Sequence, residues 1–140
     1  MKKRKFGNIQ AELDLETTAK WYAQSKGWEC ECGHCRNFLK LAKQKELPGH
    51  IIKILDELGI APEKATYVCE LFTDNAGIHY QFSYRIAGTM IDTPIIDDTN
   101  WDEGHCRHET YPYGAPDFPE PHFDLEFYAA LPWVLEERQN

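Results

Sequence analysis

A run of alternating residues near the middle of the chain places the strongest constraint on its fold. Between positions 78 and 87, polar residues alternate with large apolar or aromatic ones, namely Ile78, Tyr80, Phe82, Tyr84 and Ile86. This alternation is typical of a β-strand with one buried face. A second β-branched and aromatic run covers 67–72, and Asp-Asn-Ala-Gly at 74–77 lies between the two. The sequence therefore predicts an antiparallel hairpin here.

The segments around this hairpin predict an α+β fold. Alternating residues predict a strand over 8–15, and a last strand over 123–127. Between the first strand and the hairpin, apolar residues recur at helical spacing in three segments. The first predicted helix is capped by Thr17 or Thr18 and ends near Gly27. The second follows Cys35 and ends before Pro48. The third runs from Pro48 to Gly59. We expect a mainly antiparallel sheet of about four or five strands, with the three helices of the N-terminal half packed on one face.

The length of 140 residues fits a single domain, residues 1–140, with two irregular segments. Residues 1–7 begin with four consecutive basic residues after Met1, and we expect a flexible tail there. Residues 94–122 contain five prolines and four aromatic residues without a regular period. Long loops of this kind are typically functional, disordered or packed by their own side chains, so we expect a long loop that is available to a protein partner.

The charge distribution narrows the classes of partner. The net charge of −8 argues against a general nucleic-acid binder, which needs a basic surface. Residues 1–53 carry eleven Lys and Arg against six Asp and Glu, whereas residues 54–140 carry four against seventeen. We expect the two halves to fold against each other and neutralise their charges, although a basic N-terminal face for an anionic partner is the alternative. No apolar run reaches the roughly 18 residues that a membrane span requires, and the oligomeric state is left open.

Three of the five cysteines, Cys30, Cys32 and Cys35, lie within six consecutive positions. Their spacing is too tight for disulfides among themselves without strain, and the odd total argues for a reducing cytoplasm. A Cys-x-x-Cys pair can place two thiolates on one zinc ion, and Cys30 adds a third sulfur. Cys106 or His108, from the group at 105–108, would complete the tetrahedron. The sequence thus predicts a structural zinc site that ties residues 94–122 to the first helix junction.

Two other interpretations of the cluster stay open. The tetrapeptide Cys32-Gly33-His34-Cys35 resembles the active-site motif of protein disulfide isomerases and thioredoxin-like proteins. That resemblance implies a thiol–disulfide oxidoreductase in which Cys32 attacks and Cys35 resolves. The predicted helix end before the motif, where that fold places a buried strand, favours the metal. In the third interpretation the cysteines, with Cys69, are small hydrophobic residues of a metal-free core.

A broader resemblance covers most of the chain. Cys-x-Cys-x-x-Cys-Arg-Asn at 30–37, Leu-Asp-Glu-Leu-Gly-Ile at 55–60, and the apolar ending at 125–135 resemble a group of small bacterial proteins. This resemblance implies a bacterial cytoplasmic protein and carries no reaction with it. Together with the cluster it favours a binding, interaction or regulatory module containing zinc over an enzyme.

Overall fold

The structure is a computed structural model that describes residues 1–7, 9–91, 104–107 and 109–139. Two strands come first, then three helices and one turn of 3-10 helix, then four more strands. In chain order these are β1 (Lys2–Phe6), β2 (Ile9–Leu13), α1 (Leu15–Gln24), α2 (Gly33–Lys43), α3 (Gly49–Leu58), the 3-10 turn Pro62–Lys64, β3 (Tyr67–Asp74), β4 (Gly77–Met90), β5 (His105–Arg107) and β6 (His122–Leu131).

All strand pairs within these ranges are antiparallel and form one sheet around β4. The strand order is β1-β2-β4-β6-β5, and β3 pairs with the first half of β4. The prediction of an α+β fold with an antiparallel sheet is confirmed, and so is the hairpin of β3 and β4. The described strands number six, which exceeds the predicted four or five. The difference comes from β1 and β5, which formed parts of the predicted tail and loop.

Strand β1 occupies the segment predicted as a flexible tail, and that prediction is wrong for residues 2–6. Gly7, with φ of 61°, lies in the turn that folds β1 back onto β2. Phe6 is buried, and the Arg4 guanidinium lies 4.6 Å from the centre of its ring. Arg4 also donates to Glu57 of α3 at 2.7 Å. Lysines on an exposed edge strand discourage pairing with a further strand, so a basic run suits this position.

The helices follow their predicted order, with one change of cap. Asp14, rather than Thr17 or Thr18, caps α1, because its carboxylate accepts from the Thr17 amide at 3.1 Å and from the Thr17 hydroxyl at 2.7 Å. Helix α3 ends at Gly59, which has the left-handed φ of 73° expected of a C-terminal cap. Helix α2 begins at Gly33, inside the cysteine cluster.

One face of the central strands forms the hydrophobic core. The register pairs Phe82 with Phe127 and Tyr84 with Leu125, and all four side chains are buried. The ring of Phe38, from α2, lies 4.7 Å from that of Phe82. Helix α2 is therefore held directly against the sheet, with its first turn at one end of the core.

The opposite face of β4 and β6 carries a buried network of charged side chains. Arg85 Nε donates to Asp124 Oδ1 at 3.0 Å, and Asp124 is fully buried. Glu126, only 1% exposed, accepts from Gln81, Ser83, Arg107 and Tyr111. Buried charges require such partners, because an unpaired one would lose its hydration without compensation.

This network and several aromatic contacts fix residues 109–121 on the body of the protein. The Tyr111 amide donates to Asp124 at 2.9 Å, and the Tyr111 ring stacks on Tyr67 with centres 3.6 Å apart. Trp21 Nε1 donates to the Pro116 carbonyl at 2.9 Å. Of the predicted loop 94–122, residues 105–107 form β5 and residues 109–121 are packed by their own aromatics. Positions 94–103 and 108 lie outside the described residues.

Candidate metal centre

The end of α1 and the start of α2 bring the cysteine cluster together. After α1 ends at Gln24, an irregular segment that includes the left-handed Gly27 carries the chain through Trp28 and Cys30 to Cys32. Cys32 is the N-cap of α2, and its sulfur accepts from the Cys35 amide at 3.4 Å. A side chain that accepts from the first-turn amides is the usual way to satisfy a helix N-terminus. Here a thiol takes the place of the common hydroxyl or carboxylate.

The sulfur atoms of Cys30, Cys32 and Cys35 all lie within 4.8 Å of one another. In the part of the chain that the structure describes, they form the one group of three or more His, Cys, Asp or Glu ligand atoms so close together. Two sulfurs bound tetrahedrally to zinc at about 2.3 Å lie roughly 3.8 Å apart, so sulfurs within 4.8 Å of one another need only small shifts to share one ion. Cys30 and Cys32 are exposed, whereas Cys35 is buried.

The sulfurs of Cys32 and Cys35 differ in their electrostatic environment. At Cys32, desolvation raises the pKa, but hydrogen bonds from the Cys35 amide and thiol, the Cys30 thiol and the His34 amide outweigh it, so the pKa is lowered. At Cys35, burial raises the pKa strongly, and Cys30 and Cys32 add to the rise, while the Trp28 indole opposes it. Cys32 therefore reaches the thiolate form, which binds metals and attacks disulfides, more readily than Cys35.

Trp28 links the cluster to the packed segment 109–121. Its Nε1 donates to Cys35 Sγ at 3.3 Å. Its ring centre lies 5.7 Å from that of Tyr67 and 6.2 Å from that of Tyr113. The first helix junction and the proline-rich segment are thus in contact through aromatic rings, which is a different connection from the shared zinc ion that the sequence predicts.

Arg36 and Asn37 fix the other side of the cluster to the C-terminal segment. Arg36 donates to the Glu31 carbonyl at 3.0 Å and pairs with both carboxylate oxygens of Glu137. Asn37, fully buried, donates to the Pro132 carbonyl at 3.0 Å and accepts from the Val134 amide at 2.7 Å. Sequence reasoning missed this role for both residues, because their partners Glu137 and Val134 lie 101 and 97 positions further along the chain.

Two surface grooves meet at Cys30. The larger, about 810 Å³, lies between the 25–30 segment and residues 112–117, and Trp21, Trp28 and Tyr113 contribute to its walls. The second, about 730 Å³, is lined by Lys26, Cys30 and Arg36 among others. Cys30 therefore lines both grooves, and Cys30 and Cys32 are exposed to solvent.

The remaining cysteines lie away from this group. Cys106 is on β5, buried opposite Leu125 of β6, and burial raises the pKa of its thiol to about 12. It is not part of the group of three sulfurs. The other predicted ligand, His108, lies outside the described residues. Cys69, on β3, is half-buried and its thiol donates to the Glu70 carbonyl at 3.5 Å. All five cysteines are free thiols.

His34, within the cluster, points elsewhere. Its carbonyl accepts from the Tyr80 hydroxyl at 2.7 Å, and its ring packs edge-on against Trp133. Its Nε2 is buried without a hydrogen-bond partner in the described structure. His34 is not among the grouped ligand atoms.

Comparisons with known proteins add no assignment to this geometry. No protein-family model, no curated protein and no solved structure matches the chain. Within the described residues, none of the helices combines the length and the apolar character of a membrane span.

Proposed function

We propose that the protein is a binding or regulatory module that holds a zinc ion through Cys30, Cys32 and Cys35. The observation that carries the proposal is the convergence of the three sulfurs within 4.8 Å of one another. Thiolates are soft ligands that select zinc over magnesium or calcium. The amide of Cys35 donates to Cys32 Sγ, which offsets part of the negative charge that a thiolate carries.

Zinc at this site would stabilise the fold as well as the cluster. The three ligands converge only when α2 has formed next to the irregular segment before it, so the free energy of metal binding becomes folding free energy. The ion would also order the junction that Trp28 and Arg36 connect to residues 109–121 and to the C-terminal segment. We further propose that the protein presents these ordered segments to a protein partner. Its free thiols are typical of a reducing compartment, so we propose a cytoplasmic location as well.

Zinc titration of reduced protein and its variants tests the proposal. We expect one zinc per chain, measured by competition with a chromophoric chelator. Substitution of Cys30, Cys32 or Cys35 by Ser should lower the affinity by at least about 10- to 100-fold, the range already found when an outer-shell partner is lost. Cys69→Ser is the matched control and should bind zinc normally. Equal affinities for Cys35→Ser and Cys69→Ser would refute the site.

A second candidate function, thiol–disulfide exchange, is favoured by the asymmetry of Cys32 and Cys35. The exposed Cys32 thiolate would attack a substrate disulfide, forming a mixed disulfide and releasing one substrate thiol. Cys35 would then lose its proton and displace the second substrate thiol, leaving a Cys32–Cys35 disulfide and a reduced substrate. The helix N-terminus and the amide of Cys35 favour the attacking thiolate.

Reduction of insulin by zinc-free protein in the presence of dithiothreitol tests this second function. Turnover that disappears in Cys32→Ser but persists in Cys69→Ser would support it. Absence of turnover above the dithiothreitol blank would leave the metal site as the function of the cluster.

A further inference from the structure

We propose that the larger groove binds an organic cation, an alkylated ammonium group carried by a small molecule. The groove lies between the 25–30 segment and residues 112–117 and has a volume of about 810 Å³. Pockets for small molecules are typically about 300–1,000 Å³, so the groove is large enough for such a ligand. The proposal concerns the aromatic walls of the groove and does not depend on a metal ion at the cysteines.

Aromatic rings form the walls of the groove. Trp21, Trp28 and Tyr113 line it, and Tyr113 is 56% exposed. The rings of Trp28 and Tyr113 contact each other, with centres 6.2 Å apart and planes inclined by 40°, so they form one continuous aromatic corner. The face of an aromatic ring carries partial negative charge and attracts a cation that lies over it. Two inclined rings can therefore contact one alkylated ammonium group at the same time.

The polar edges of both indoles are already bonded within the protein. Trp21 Nε1 donates to the Pro116 carbonyl at 2.9 Å, and Trp28 Nε1 donates to Cys35 Sγ at 3.3 Å. These bonds hold the rings in place before a ligand arrives, which lowers the entropic cost of binding. Because the N–H groups are engaged, the indoles offer a ligand their ring surfaces. An alkylated ammonium suits such surfaces, since its methyl groups pack on the rings while its charge interacts with the π electrons.

Acidic side chains add to the attraction of a cation. Glu29 and Asp117 line the groove and are exposed, against one lysine, Lys26, in the described part of its lining. The net charge of −8 also raises the concentration of cations near the protein surface. Exposed carboxylates are screened by salt and contribute little each, so the rings should supply most of the affinity.

Choline and 3,3-dimethylbutanol, in which carbon replaces the quaternary nitrogen, test the proposal because they share a shape and differ in charge. Isotopically labelled full-length protein is titrated with each compound, and the indole N–H resonances are followed by NMR. We expect a saturable shift of the Trp28 indole with choline. The neutral alcohol should bind at least about 5-fold more weakly, the equivalent of one cation–π contact. The Trp133 indole, which donates to the Glu137 carbonyl at 2.7 Å, is the internal control and should not shift.

Variants of Tyr113 test the role of its ring. Tyr113→Leu keeps an apolar side chain and should weaken choline binding by about 2- to 5-fold, with little effect on the neutral alcohol. Tyr113→Phe retains the ring and should bind choline nearly as well as wild type. Phe72→Leu, on β3 and 50% exposed, is the matched control and should change neither affinity.

A charge variant separates the acids from the rings. Asp117→Asn should weaken choline binding by about 2-fold at low salt and by less at high salt, because an exposed charge is screened. Asp117 has a φ of 59°, which Asn also tolerates, so this variant should keep the fold. Glu16→Gln, on the exposed surface of α1, is the matched control and should bind choline normally.

Three results would overturn the proposal. Absence of a saturable shift with choline would show that the groove does not bind the cation. Equal affinities for choline and the neutral alcohol, or choline binding that Tyr113→Leu does not weaken, would show that the groove is merely apolar. A trimethyllysine peptide that binds more tightly than choline would overturn the small-molecule source and assign the ammonium group to a protein side chain.

Discussion

Substitution of Asp124 by Asn tests whether the buried ion pair fixes residues 109–121 to the sheet. Asp124 is fully buried and accepts from Arg85 Nε at 3.0 Å and from the Tyr111 amide at 2.9 Å. Asn at this position retains an acceptor for the Tyr111 amide but removes the charge that balances Arg85. Arg85 is itself only 6% exposed, so its guanidinium would remain buried without a full counter-charge.

The burial of this ion pair determines how much its loss should lower the free energy of unfolding. Removal of one partner of a buried pair destabilises a protein by about 3–5 kcal/mol. Arg85→Met should cost a similar amount, because Asp124 then stays buried with its charge. The double variant Arg85→Met/Asp124→Asn has no buried charge left at this pair. Its free energy of unfolding should fall by only about 1–3 kcal/mol. Most of this loss comes from the Tyr111 carbonyl, which accepts from Arg85 at 2.5 Å in the wild type and has no donor in the variant.

Urea unfolding followed by far-UV circular dichroism measures these free energies, and limited proteolysis reports release of residues 109–121. The exposed pair Lys20–Glu16, with side chains 79% and 85% exposed, provides the control. Glu16→Gln should cost less than about 0.5 kcal/mol. If the two single losses at Arg85 and Asp124 add in the double variant, the pair is not coupled and the reasoning fails.

Further predictions concern the core, the backbone, the thiols and the C-terminal segment. Phe38→Ala should cost about 3–5 kcal/mol in urea unfolding, because its fully buried ring packs on Phe82, and a loss below about 1 kcal/mol would contradict that packing. Gly88→Ala should lower the free energy of unfolding by about 1–3 kcal/mol, because φ of Gly88 is 146° and the added Cβ would lie 2.2 Å from the Glu12 carbonyl oxygen. Gly49→Ala is the control: a Cβ at Gly49 would have no atom within 4 Å, so this variant should be neutral or slightly more stable. In metal-free protein near neutral pH, Cys32 should react with iodoacetamide before Cys35 and Cys106, because the pKa of Cys32 is lowered and the pKa values of the other two are raised. Timed labelling read by mass spectrometry measures this order, and the rate at Cys32 should fall as the pH drops below the pKa of its thiol. Preferential labelling of Cys106 would refute the order. Asn37→Ala should cost about 1–3 kcal/mol and change Trp133 fluorescence, because the Val134 amide loses its acceptor, and an unchanged free energy would show that Asn37 does not hold this segment.

The sequence by itself determined the features that depend on near neighbours in the chain. The alternation over 78–87 specified β4, since a strand needs only its own period of two to present one apolar face. Gly59 ended α3 because the left-handed cap is a local conformation. The convergence of Cys30, Cys32 and Cys35 was also predictable, because all three lie within one turn of the start of α2.

Tertiary structure decided the features in which distant segments meet. Residues 2–6 form a strand because they pair with β2 and bury Phe6. A run of basic residues does not by itself predict this pairing. Asp124 is buried because Arg85, 39 positions away, neutralises it. Cys106 had the residue type of a metal ligand, yet its pairing opposite Leu125 places it outside the sulfur group. A side chain's type shows what it can bind, but burial and pairing decide what it meets.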